Sequence, residues 1–167
     1  MKIFVATGSR AFSFSRLIKA VDKAALSLNL SKEDIFAQIG TSEYEPKHIS
    51  FERFIEKKIY DEKINTCDLL IAPAAAGTVF SSLKAGKKII VVPRLHEHGE
   101  IIDNHQMELA NILAERNFVL YAENIEMLPE LIITARNHVF EVYSANPERA
   151  VQAINSWIAE NAVKKKT

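Results

Sequence analysis

"DLLIAPAAAGTVFSSLKAGKKIIVVP", residues 68–93, places two apolar runs on either side of a helical stretch. "DLLIAP" and "KIIVVP" are short and apolar throughout rather than alternating, so both read as strands covered on two faces. Between them "AAAGT" opens a helix, and Gly86 stands where that helix ends, at the C′ position that favours glycine. Strand, helix and strand in so little chain form a parallel crossover, the repeating unit of an α/β sheet.

The pattern repeats on both sides. "KIFVA" (2–6) is a strand, and Phe14, Leu17, Ile18, Val21, Ala24, Ala25 and Leu28 recur at three- and four-residue spacing along one helix face. "IFAQIG" (35–40) is a further strand, and "FERFIEKKIYDEKI" (51–64) is expected as a helix with Phe51, Phe54, Ile55 and Ile59 on one side. After "KIIVVP" come a histidine-rich loop, a helix lined by Met107, Ala110, Leu113 and Ala114, and a fifth strand, "FVLYA" (118–122). "ENIEMLPELIITARN" is expected to be mostly helical, with Pro129 near its start, and "HVFEVYS" to be a strand or a linker. Asn146 as N-cap and Pro147 at the first helical position open a last helix that includes Trp157. The fold class expected is α/β, a Rossmann-like doubly wound, mostly parallel sheet in three α/β/α layers, forming a single domain over 1–167.

Composition narrows the function. Lys plus Arg and Asp plus Glu both number 21, so the formal charge is zero and binding of nucleic acid through bulk charge is not expected. Cys67 is the single cysteine, which rules out an internal disulfide and fits a reducing cytoplasm. The N-terminus is too short an apolar run for a signal peptide, and no stretch approaches the ~20 apolar residues of a membrane span.

In a doubly wound sheet, ligands bind beyond the carboxyl ends of the strands. The loops there are "TGSRAF", "GTSEYE", "PAAAGT" and "RLHEHGEIIDNHQ", and they hold the polar chemistry. Thr7-Gly8-Ser9 and Gly77-Thr78 each set glycine beside a hydroxyl where a strand leads into a helix. A helix start offers unpaired N–H groups to an anion, and glycine lets the backbone approach it. A tight turn capped by Ser or Thr explains both equally well. His96, His98 and His105 lack a His-x-x-x-His or cysteine framework, so a solvated loop is favoured over a metal site. Asp103 and Gln106 also have the spacing of a capping box. Cys67 reads as a small buried residue, and Lys164–Lys166 as a solvated tail.

"KIFVATGSRAFSFSRLIKAVD", "IFAQIGTSEYEP", "CDLLIAPAAAGTVFSSLKAGKKIIVVPRL" and "HGEIIDNHQMELANILAE" together resemble, in order, the glycosyltransferase family 28 C-terminal domain over residues 1–128. The likeness is greatest to the soluble (PssE-type) half of split bacterial exopolysaccharide glycosyltransferases. It extends to the soluble subunit of the eukaryotic dolichol-linked N-acetylglucosaminyltransferase. The resemblance implies half of a GT-B enzyme that transfers a sugar from a UDP-sugar to a lipid diphosphate-linked acceptor, with inversion and with neither metal nor cofactor required. The implied partner is a membrane-associated, acceptor-binding subunit that recruits the chain peripherally to the membrane and supplies the general base. Thr7, Gly8, Ser9, Gly77 and Thr78 match the family's diphosphate loops. Asn104, His105 and Gln106 match its donor-sugar motif, and Glu100 and Asp103 match acidic positions without an assigned role.

Two departures bear on activity. Where members carry His-Gly-Gly-Ala-Gly, this chain has Pro73-Ala74-Ala75-Ala76-Gly77, with one N–H donor fewer and three added methyl groups. Where more distant members place a ribose-binding Glu, Ser81 stands. Weaker, shifted or lost UDP binding is the expectation that follows. The alternative to a catalytic subunit is therefore a non-catalytic paralogue acting as scaffold or regulator of the membrane-bound partner.

Overall fold

Strands only four residues long, buried from end to end, make the middle of the sheet: β1 (Ile3–Ala6) and β4 (Leu69–Ala72). They are joined by β2 (Ile35–Gln38), β3 (Ser50–Glu52), β5 (Lys88–Val91) and β6 (Leu120–Tyr121). Every pairing is parallel and the order is β3-β2-β1-β4-β5-β6, so the fold is the expected Rossmann-like α/β sheet. The computed structural model describes residues 1–8, 12–102 and 105–144. The expected last helix with Trp157, the Lys164–Lys166 tail, and candidate residues Ser9, Asp103 and Asn104 lie outside the described residues.

Alternate strand residues feed two cores, because successive side chains point to opposite faces. Ile3, Val5, Leu69, Ile71 and Ile90 pack with α1 (Ser15–Ser27) and α5 (Leu128–Asn137) on one face. Phe4, Ala6, Leu70, Ala72, Ile89 and Val91 pack with α2 (Lys57–Thr66), α3 (Ala76–Lys84) and α4 (His105–Glu115) on the other. Each fully buried Ile or Leu contributes about 1.5–3 kcal/mol. Gly86, at φ +68°, closes α3 as expected: its N–H donates to Leu83 and that of Lys87 to Ser82, the paired bonds of a Schellman end.

One expectation fails. Residues 50–52 are an edge strand, in register with Phe36, Ala37 and Gln38, and the helix expected over 51–64 begins only at Lys57. Phe51 packs against the α1 core, whereas Phe54 is 62% exposed and Ile59 41%, so their helical spacing marks no common buried face. "HVFEVYS" forms neither strand nor helix. It crosses the sheet margin, with Glu141 N–H donating to Asn117 O and the Tyr143 ring against Phe80 and Phe118.

Candidate functional site

The strand order reverses between β1 and β4, and α3 starts at that point. Ala75 is its extended N-cap, with no side-chain cap, and the first bond inside the helix runs from Val79 N–H to Ala75 O at 3.0 Å. The N–H groups of Ala76, Gly77 and Thr78 precede that bond, as the opening donors of any helix must. Ala76 and Gly77 are exposed, and a Cβ built on Gly77 meets nothing within 4 Å. Ala74 turns its methyl into the α3 core, and Pro73 is buried at the strand end before the helix begins.

The first strand-end loop is arranged differently from the expected helix start. Thr7 is 3% exposed, and both its N–H and its hydroxyl donate to Gln38 O, at 3.2 and 3.0 Å. Gly8 follows in left-handed conformation, at φ +83°, with open space around it. α1 begins only at Ser15. Its first turn is closed by Ser13 Oγ, which accepts from Ser15 N–H, and by Phe14 O, which accepts from Leu17 N–H. Among the described residues this loop offers the main chain of Gly8, and α1 starts well beyond it with the N–H groups of Ser15 and Leu17 already paired.

Arg94, absent from the expected site, organises both loops. Its guanidinium is 2% exposed, lies 4.5 Å from the Phe14 ring centre, and donates to Thr7 O, Phe12 O, Ser13 O and Glu100 O at 2.7–3.2 Å. Glu100 is occupied too: Arg16 grips its carboxylate with two bonds, at 3.0 and 2.8 Å, and Leu95 N–H donates to it at 3.0 Å. That carboxylate holds the histidine loop to α1. His96–His98 form one 3-10 turn ending at Gly99, and all three residues are exposed. Among the described residues no three His, Cys, Asp or Glu side chains gather as metal ligands would.

His105, exposed, opens α4, and Gln106 follows at 9% exposure. Gln106 Oε1 accepts from Arg94 N–H at 3.0 Å. The acceptor half of the amide, which a capping box would turn back to the helix start, is thus held by β5's extension. Its NH2 half remains as a donor.

Between Gly8, Gln38, Phe54, Ile55, Lys57, Tyr60 and Thr78 lies a cavity of about 420 Å³. It joins the Gly8 turn to the first turn of α3 and is floored by β2's last residue. Burial pushes the Tyr60 phenol above its ordinary pKa, an effect Thr78 partly offsets, so it stays protonated as a donor. Apart from Gly8 and Thr78, none of these residues was among the expected site. The cavity forms only where the misread segment 51–60 folds as strand, turn and helix. A groove of about 430 Å³ lined by Arg16, Lys19, Lys23 and Pro129 is as large, but it lies on the α1 flank and lacks the strand-end loops.

The model of the glycosyltransferase family 28 C-terminal domain matches residues 2–160. The human UDP-N-acetylglucosamine transferase subunit ALG13 is 30% identical over 125 residues, 71% of this chain and 11% of that protein. A UDP-N-acetylglucosamine–N-acetylmuramyl-(pentapeptide) pyrophosphoryl-undecaprenol N-acetylglucosamine transferase of Prochlorococcus marinus (strain MIT 9312) is 29% identical over 110 residues, 64% of this chain and 29% of that protein. The chain thus spans under a third of either relative. Acinetobacter baumannii MurG superposes with a TM-score of 0.60 at 24% identity, over 81% of this chain and 41% of that one. A glycosyltransferase of kitacinnamycin superposes at 0.61 with 13% identity, over 82% of this chain and 35% of that one. Both likenesses establish the fold.

Proposed function

Since the chain belongs to the glycosyltransferase family 28 C-terminal domain family, we propose that it is the donor-binding half of a UDP-sugar-dependent glycosyltransferase whose acceptor half is a separate, membrane-associated protein. The uncapped, exposed first turn of α3 at the strand-order reversal carries this reading. Three N–H groups and the positive end of the helix suit a diphosphate. The cavity beside it, with Phe54 and Ile55 on its wall, is of a size and polarity for a nucleoside. Gln106, and with it Asn104 and His105, addresses the sugar, which presents hydroxyls rather than charge.

Transfer with inversion breaks the bond between the anomeric carbon and the diphosphate while the acceptor hydroxyl attacks from the opposite side. Negative charge grows on the departing UDP, and the fixed N–H groups of Ala76, Gly77 and Thr78 meet it without reorganising. Losing one such donor typically costs ~2.7–4 kcal/mol of transition-state stabilisation. The base that takes the acceptor proton belongs to the partner, as does the lipid-linked acceptor, and synthesis of an exopolysaccharide is the setting we assign.

Calorimetric titration with UDP and several UDP-sugars, with and without the partner, tests the proposal. Saturable binding supports it, and its absence in both conditions points instead to a scaffold. Gln106→Ala is expected to weaken a UDP-sugar about tenfold while UDP falls much less, because only the sugar meets that amide; about tenfold is ~1.4 kcal/mol, one hydrogen bond. Equal losses would assign Gln106 to loop support alone. Gly77→Ala is expected to act in opposite directions: a higher melting temperature, by up to ~1 kcal/mol of helix propensity, but several-fold weaker UDP binding from the methyl placed over the donors.

A further inference from the structure

Beyond β5, two successive main-chain N–H groups are given to side chains: Arg94 N–H to Gln106 Oε1 and Leu95 N–H to Glu100 Oε2, each at 3.0 Å. Glu100, 4% exposed, returns its own N–H to Leu95 O at 3.2 Å, and its carbonyl accepts from Arg94 Nη1, also at 3.2 Å. Arg16 reaches over from α1, donating Nε to Oε1 at 3.0 Å and Nη2 to Oε2 at 2.8 Å. The same Nη2 donates to Pro93 O at 2.8 Å. Helix α1, residues 93–95 and the approach to α4 therefore meet at one carboxylate. Three donors already occupy it and it is buried, so it is not placed to meet a ligand. Gln106, at the other end of that approach, still has an NH2 to give.

We propose that Glu100 is a positioning residue for sugar recognition: by holding Leu95 and Arg94, it sets where Gln106 stands. This rests on the nucleotide-sugar reading above. Gln106 is held by the N–H of Arg94, whose place follows from its neighbours on either side. Leu95 is fixed by the carboxylate, and Pro93 by the arginine that the carboxylate orients. A carboxylate is needed because all its partners are donors, and one of them is the planar fork of a guanidinium. An amide at position 100 would turn its NH2 toward Arg16 or toward Leu95 N–H, donor against donor. The diphosphate donors stand on α3, outside these bonds, so the effect falls on the sugar and not on UDP.

The test titrates the full chain with UDP and with UDP-glucose, UDP-galactose and UDP-N-acetylglucosamine. In Glu100→Gln the tightest of the three UDP-sugars is expected to weaken about tenfold, one hydrogen bond, while UDP changes less than about threefold. Gln106→Ala added to that variant should cost less than about twofold more, because the contact it removes is already gone. A full further loss of about tenfold would show that the two residues act independently and overturn the proposal. Equal weakening of UDP and UDP-sugar in Glu100→Gln overturns it too, by assigning Glu100 to general support of the loops. Arg16→Lys, which keeps the charge but not the two-bonded grip, reads the same split if Glu100→Gln does not fold. There the UDP-sugar is expected to weaken roughly three- to fivefold with UDP unchanged, and an equal loss of both overturns the proposal. Failure of the wild type to bind any of these ligands removes the nucleotide-sugar reading itself and this inference with it, a distinct outcome.

Discussion

Arg94→Met is expected to lower unfolding stability by roughly 2–6 kcal/mol, because the buried carbonyls of Thr7 and Glu100 lose their donor at ~1–3 kcal/mol each. Methionine fills most of the space beside Phe14 but offers no N–H. The denaturant midpoint measures the loss. If the variant is as stable as the wild type, Arg94 is not what holds these loops. A second consequence is local. Arg94 joins the 7–13 loop to the 94–100 loop, so ligand affinity should fall even where the variant remains folded.

Asp22→Asn is the other large effect. Asp22 lies on α1 at 2% exposure, and its carboxylate accepts from Tyr44 Oη at 2.7 Å and from the N–H groups of Lys47 and His48 at 2.6–3.1 Å. Burial alone would raise its pKa, but the Tyr44 hydroxyl and the two N–H donors outweigh burial and lower it. The same bond, with burial added, pushes Tyr44 up to about 12. The signs follow. A depressed carboxyl stabilises the fold above its unfolded pKa near 3.8, and that stability is lost as pH falls through the lower folded value. A raised phenol stabilises below its unfolded pKa of 10, and that stability is lost as pH rises toward 12. Asn removes the charge from three bonds, for an expected loss of about 2–4 kcal/mol at neutral pH. It should also flatten the acid limb of a stability-against-pH curve; an unchanged acid limb would show that another carboxylate governs it.

The central architecture was legible because buried parallel strands announce themselves: "IFVA", "LLIA" and "IIV" admit no amphipathic reading. β3 was not legible. At three residues on an edge it is too short to show alternation, and Phe51, Phe54 and Ile55 imitate a helix face while belonging to a strand and the turn after it. The candidate site divides in the same way. Gly77 and Thr78 sit at the open helix start, where a glycine beside a hydroxyl suggested one, and Gln106 stands at the start of α4. Arg94 and Gln38 escaped notice as site residues because their side-chain nitrogens donate to main-chain carbonyls, and a carbonyl acceptor leaves no trace in residue type. Glu100 was picked out for its charge, and the structure accounts for that charge through Arg16.

The sheet order has a mechanical consequence. β1 to β3 come from the first third of the chain and β4 to β6 from the remainder, and within the sheet these two blocks share a single ladder, β1 with β4. The open end of α3 belongs to one block, while Gly8 and Gln38 belong to the other. A nucleotide lying across them would act as a rivet through a seam, and the sheet would be stiffest along that line when its ligand is in place.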